Sequence, residues 1–258
     1  MEKSFTTITI NKRDTVAWIA LNRPEVHNAM NAEMIFELTE VFKSFTDDNE
    51  IRSVVLTGNG KSFCAGADLN YMKGIAEFGF EENVEDGKKL AALFKSIYDC
   101  PIPTIALVHG SAFGGANGLI AACDIAIGEE NTTFAFSEVK LGIAPATIAP
   151  FVIKRIGEFG AKELMMTGKR FKGKEAQRWN LLNHVYKSGE DENPLNEILK
   201  QFESSAPEAV KETKKLINTV LGKDIEEGIE YTSELIAKLR ASEEGQEGMA
   251  SFLEKRKP

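Results

Sequence analysis

A chain of 258 residues, 43% of them apolar, is long enough to bury a core of its own. Its 39 acidic residues outnumber 31 basic ones, leaving a net charge of −8. That balance excludes the concentrated positive face of a nucleic-acid binder, and an anionic ligand would have to be held by local cations or backbone N–H groups. Cys64, Cys100 and Cys123 are odd in number and far apart, so no metal site is expected and a reducing compartment is. No run reaches the roughly 18 apolar residues of a membrane span. The opening MEKSFTTITI has no apolar signal core, and the expected location is the cytoplasm.

In chain order, TVAWIAL (15–21) reads as a strand ended by turn residues. Met34, Ile35, Leu38, Val41, Phe42 and Phe45 then fall on one face of a helix, with Asn31 placed to cap it and Glu33 favoured by the helix dipole. IRSVVLTG (51–58) is a second strand. Leu90, Leu93, Phe94, Ile97 and Tyr98 form another helical stripe, stopped by Pro101 and Pro103. TIALVHG (104–110), DIAIG (124–128) and TTFAF (132–136) continue the strands. Strand alternating with helix predicts an α/β protein whose parallel strands are joined by crossovers. Beyond about residue 190 the chain is charged, β-poor and helical in spacing, with Ser205 expected as a cap, Pro207 just inside the next helix, and an apolar stripe at Val210, Leu216, Ile217, Val220 and Leu221.

Several motifs invite a chemistry and fail its geometry. VLTGNGKS (55–62) has Val55 where a phosphate-binding P-loop needs its first glycine. GSAFG (110–114) sets its serine one place too early for a nucleophile elbow, and His27, His109 and His184 lack the context of a catalytic base. GGANG has neither the spacing nor the following acidic residue of a dinucleotide fingerprint. What remains is HGSAFGGANGL (109–119), four of whose positions are glycine. Gly114 and Gly115 precede a helical run, so free N–H groups and the positive end of a helix lie beside residues with no side chain. A second turn, Cys64-Ala65-Gly66-Ala67-Asp68, follows the strand at 51–58. Together the two could set a pair of backbone donors around one oxygen, as an oxyanion requires.

NRPEVHNAMN, KSFCAGADLNYM, HGSAFGGANGLIAACDIAIG and FSEVKLGIAPATIAPFVIKRIG, in that order, resemble the crotonase, or enoyl-CoA hydratase/isomerase, superfamily. The likeness covers essentially the whole chain and is strongest to the bacterial methylglutaconyl-CoA and carboxygeranoyl-CoA hydratase group. It implies a crotonase-type spiral of ββα units over residues 1–190, carrying the CoA and acyl site. Residues 191–258 are then a helical trimerisation region, and the assembly is a homotrimer or a dimer of trimers. It implies an acyl-CoA thioester substrate and no separate cofactor or metal, coenzyme A being part of the substrate.

By the same resemblance, the N–H groups of Ala67 and Gly115 hold the thioester oxygen, with Gly114 beside them, and Glu138 is the acid/base. A glutamate next to Phe134, Phe136 and Val139 is expected to have its pKa raised by desolvation. Glu25, Val26, His27, Ala65, Asp68 and Leu69 are implied to line the CoA, and Phe252 and Lys255 to cap it, often from a neighbouring subunit. Residues 70–89 are expected to form much of the acyl wall. Gly118 stands where two-glutamate hydratases carry their second carboxylate. That departure leaves three readings in order: a hydratase working with one glutamate, a Δ3-Δ2 enoyl-CoA isomerase, and a non-catalytic acyl-CoA-binding protein.

Overall fold

The computed structural model describes residues 5–48, 50–189 and 194–256. The first four residues of the opening segment and the expected boundary at 190/191 lie outside them. Among the described residues, β1 (Ile8–Arg13), β2 (Val16–Leu21), β3 (Ser53–Gly58), β4 (Thr104–Val108), β5 (Ser111–Phe113), β6 (Ile125–Glu129), β7 (Thr133–Ala135), β8 (Arg170–Lys172) and β9 (His184–Tyr186) form two sheets. The larger runs β1-β2-β3-β4-β6-β9 and is parallel from β2 onward; the smaller runs β5-β7-β8. β3 reads Ser-Val-Val-Leu-Thr-Gly and is buried along almost its whole length, as a central parallel strand covered on both faces must be.

The helices are α1 (Ala32–Ser44), α2 (Leu69–Ile75), α3 (Phe80–Tyr98), α4 (Ala116–Ala122), α5 (Ala149–Thr167), α6 (Gly173–Arg178), α7 (Pro194–Ser204), α8 (Pro207–Val220), α9 (Ile225–Ala241) and α10 (Glu243–Glu254). Asn31 caps α1 as its position predicts, its side chain accepting from the Met34 N–H at 2.9 Å. The expected stripe of α1 is buried through Phe42. α3 begins ten residues before its apolar stripe, because Glu82 reaches back to the Gly79 N–H at 2.8 Å and starts the helix there. α3 packs on α1 on one side and on α4 on the other, which seats α4 in the middle of the core.

α7 lays Leu195, Ile198, Leu199 and Phe202 on Val55, Ile105 and Ile127 of the larger sheet and makes a second, smaller core. α8, α9 and α10 pack mainly on one another. The cap expected from Ser205 is not made. Its hydroxyl turns back to the Gln201 carbonyl at 2.8 Å, and Ala206 occupies the N-cap of α8 with Pro207 following. A serine one residue too early is drawn to a free carbonyl at the end of α7 instead.

Candidate active site

Two turns meet because their flanking strands pair. The Cys64 N–H donates to Ser111 O at 3.1 Å, and the Phe113 N–H returns to Cys64 O at 3.2 Å. These bonds seat the Cys64–Asp68 turn against β5, inside the glycine-rich stretch. Gly66 is required there: its φ is +96°, and a Cβ on it would lie 2.9 Å from the Phe113 carbonyl oxygen. Met30 clasps the turn from the other side, its N–H donating to Gly66 O at 2.7 Å while its carbonyl accepts from Asp68 N–H at 2.8 Å. Between those two bonds lies Ala67, whose own N–H has no partner among the described residues.

The second turn repeats the arrangement. Gly114, at φ +54°, donates its N–H to Ala135 O at 2.9 Å, and the next N–H, that of Gly115, has no partner among the described residues. Gly115 directly precedes α4, so this free donor sits at the positive end of a helix. The Met30 side chain reaches this turn too, since a Cβ on Gly115 would stand 2.6 Å from Met30 Cε. Two unengaged amides are thus gathered around one methionine.

β7 leads into a short 3-10 turn, Ser137–Leu141, that carries Glu138. The Glu138 carboxylate comes to rest over Gly114: a Cβ there would be 3.3 Å from Oε1. Oε2 is buried with no hydrogen-bond partner among the described residues. Burial pushes the Glu138 pKa up, as expected, partly offset by a hydrogen bond from its own backbone N–H. A carboxyl raised in this way can both take and return a proton nearer neutrality.

Gly118, one turn into α4, faces no open space. A Cβ on it would lie 2.5 Å from Ile148 Cγ2 and 2.7 Å from Phe94 Cζ, and both residues are buried. The place where a second carboxylate is expected is therefore filled by a ring and a methyl group.

The residues expected along CoA divide into two groups. Glu25, Val26 and His27 lie exposed on and just after the 3-10 turn Pro24–Val26. That turn is tied to the Cys64–Asp68 turn through the Ala65 N–H, which donates to His27 O at 2.9 Å. Leu69 is 75% exposed beside it. Asp68 is buried, its carboxylate accepting from Asn70 N–H at 2.8 Å and Tyr71 N–H at 3.1 Å and pairing with Arg23 at 2.9 Å. Burial alone would raise its pKa, but those amides and the guanidinium hold it below the ordinary carboxylate value. Phe252, 83% exposed, and Lys255 sit at the far end of α10, away from this group in sequence and making no hydrogen bond to it.

Residues 70–89 become α2, a turn and the start of α3. Tyr71, Phe78, Glu81, Glu82, Glu85, Asp86 and Lys89 line a groove of about 560 Å³ with Ala32 and Ile35. Met30 and Arg23 escaped notice in the sequence because Met30 clasps the turn through its backbone and the Arg23 guanidinium meets Asp68 only in the fold. Among the described residues no three His, Cys, Asp or Glu side chains cluster as metal ligands. No described helix is long and apolar enough to cross a membrane.

Unengaged amides and a desolvated carboxylate on an α/β framework are what the chemistry of a carbonyl group calls for. The chain is a member of the enoyl-CoA hydratase/isomerase family, whose profile matches residues 11–258, and it has the crotonase fold: two sheets of ββα units followed by C-terminal helices. It is 35% identical over 256 residues to the short-chain-enoyl-CoA hydratase of Clostridium acetobutylicum, covering 97% of this chain and 95% of that one. Among solved structures, Pseudomonas aeruginosa AtuE superposes with a TM-score of 0.95 at 35% identity, over 98% of each chain. An enoyl-CoA hydratase from Shewanella pealeana gives 0.93 at 36%, over all of this chain and 97% of that one. The protein is thus an enzyme of this family acting on acyl-CoA thioesters, and the reading as a non-catalytic binding protein is set aside.

Proposed function

We propose that the protein adds water across the double bond of 2-enoyl-CoA thioesters, with Glu138 as its single acid/base and the amides of Ala67 and Gly115 holding the thioester oxygen. The observation that carries this reading is the buried, unpartnered Glu138 Oε2 beside the turn that ends in the free Gly115 N–H. Ionised Glu138 takes a proton from water as the water oxygen bonds to Cβ. The double-bond electrons move toward the carbonyl, and charge collects on the thioester oxygen between the two amides. Protonated Glu138 then delivers that proton to Cα, which restores the carboxylate and completes the addition. Losing one such backbone donor typically costs roughly 10²–10³ in rate.

A second reading has an observation of its own. With Phe94 and Ile148 filling the space at Gly118, no second carboxylate stands there, and one suffices to carry a proton from Cγ to Cα in a 3-enoyl ester. The test is incubation with 2-enoyl-, 3-enoyl- and 3-methylglutaconyl-CoA in ¹⁸O-labelled water, with Glu138→Gln alongside. Label in a 3-hydroxyacyl product supports hydration. Turnover of the 3-enoyl ester alone, without label, replaces it with isomerisation. Preference for 3-methylglutaconyl-CoA would place the protein in the subgroup its motifs resemble, a reading the AtuE likeness supports.

The assembly belongs to the same proposal. Ile225, Ile229, Phe252 and Leu253 are all more than half exposed on α9 and α10, an apolar surface suited to burial between copies. In a trimer, Phe252 and Lys255 of one copy would close the CoA site of another.

A further inference from the structure

α4 is buried along its whole length, yet its second residue is an asparagine. Asn117 is fully buried. Its Nδ2 donates to Ala135 O at 2.9 Å, with Gly114 O at 3.3 Å and Ala112 O at 3.5 Å. Those acceptors fix the orientation of the amide, since turned over it would point its oxygen at three carbonyls. Two of the three do not need it. Ala135 O already accepts from Gly114 N–H at 2.9 Å, and Gly114 O from the Asn117 backbone N–H at 2.9 Å. Meanwhile Oδ1 is buried without a partner among the described residues. For folding alone, an apolar side chain of similar shape would serve at least as well.

What the side chain adds is a second tie between the two halves of the site, beside the bond from Gly114 N–H to Ala135 O. Gly114 is the residue before the Gly115 donor, and Ala135 ends the strand that runs into Glu138. We propose that Asn117 is a positioning residue, its buried amide tying the Gly114–Gly115 turn to the end of β7 and so setting the separation between the oxyanion donor and the Glu138 carboxylate. This rests on the roles given above to Gly115 and Glu138. A polar group kept in the core at a cost to folding, next to a constellation that must hold its geometry, fits the general pattern of strain at functional sites.

The test compares Asn117→Leu, Asn117→Ala, Glu138→Gln and the Asn117→Leu/Glu138→Gln double variant by kcat, KM and thermal melting of the full chain. For Asn117→Leu, kcat falls by roughly 10- to 100-fold, the scale of a misplacement near 1 Å. KM holds within about threefold, because CoA contacts elsewhere supply ground-state binding. Its Tm does not fall below that of the parent. In the double variant the Leu substitution costs much less than it does alone, as expected of groups acting as one unit. Asn117→Ala gives the same kcat–KM split if the Leu variant folds poorly. Parental kcat in both Asn117 variants, or a loss matched by the loss of folded protein, overturns the positioning role. Full activity in Glu138→Gln overturns the acid/base assignment and this inference with it. An inactive Glu138→Gln beside a fully active Asn117→Leu overturns the positioning role alone.

Discussion

At Gly114 a side chain would meet nothing but the Glu138 carboxylate, whereas one turn further along the same segment, at Gly118, it would run into packed core. Gly114 sits under a carboxylate and beside the free Gly115 amide. The third glycine is pressed between Phe94 and Ile148. One residue type, within five positions, is demanded for opposite reasons: a close approach left open for chemistry and a close approach consumed by packing. A glycine cluster therefore has to be read position by position, by what would meet a side chain at each.

The sharpest way to break this contrast is to remove what the open end serves. Glu138→Gln keeps the size of the side chain and its place over Gly114 but abolishes proton exchange. The expected loss is about 10²–10⁴ in kcat, the range for a positioned acid/base, with an unchanged fold by circular dichroism. If kcat stays near the parental value, the open end is not the reacting end.

A smaller effect is expected at Gly114→Ala. The residue stands at φ +54°, where an L side chain costs roughly 1–2 kcal/mol, and the new methyl would press on Glu138 Oε1 from 3.3 Å. Displacing the carboxylate should lower kcat by about 10- to 100-fold, more than the lost stability explains. Steady-state kinetics paired with a urea titration separates the two. At Gly118→Ala the order reverses. The methyl meets Ile148 and Phe94 in a filled core, so stability should drop by about 1–3 kcal/mol from overpacking, softened by roughly 1 kcal/mol of helix propensity. Activity per folded molecule should persist, and a Gly118→Ala enzyme that melts normally but is inactive would erase the distinction.

Much of this was open to sequence reading. β2, β3, β4 and β6, the α1 stripe and its Asn31 cap all follow from periodicity and local chemistry, which act within a few residues. The two glycine turns and Glu138 were legible as types in order. β5, β8 and β9 were not, because three residues carry no period, nor was β1, of whose six residues only Ile8 is buried. Nor was the plug at Gly118, since Phe94 and Ile148 come from α3 and from the loop before α5 and meet it only in the fold. Asp68 was legible only as a residue implied to line CoA. Its burial depends on Arg23, brought in from before α1. Asn117 carried a signal that went unused, one polar side chain in the run Ala-Asn-Gly-Leu-Ile-Ala-Ala.

The smallest expected effect separates the two ends by charge instead of space. Desolvation raises the Glu138 pKa above its ordinary value, so folding favours the protonated carboxyl. The stability this group contributes is fully present below the unfolded-state pKa and is lost as pH rises through the raised folded-state value. Above the raised pKa the parent therefore carries a buried charge that folding disfavours, and Glu138→Gln, which has none, should melt slightly higher. Lowering the pH through the raised pKa should close that gap, while the parental kcat falls over the same interval because water activation needs the ionised form. Melting curves of parent and variant across pH 4 to 8 check the first half, and the acid limb of the kcat profile checks the second. A gap that widens toward low pH would mean the carboxylate is stabilised where it stands, and the unpartnered Oε2 would then have found a donor.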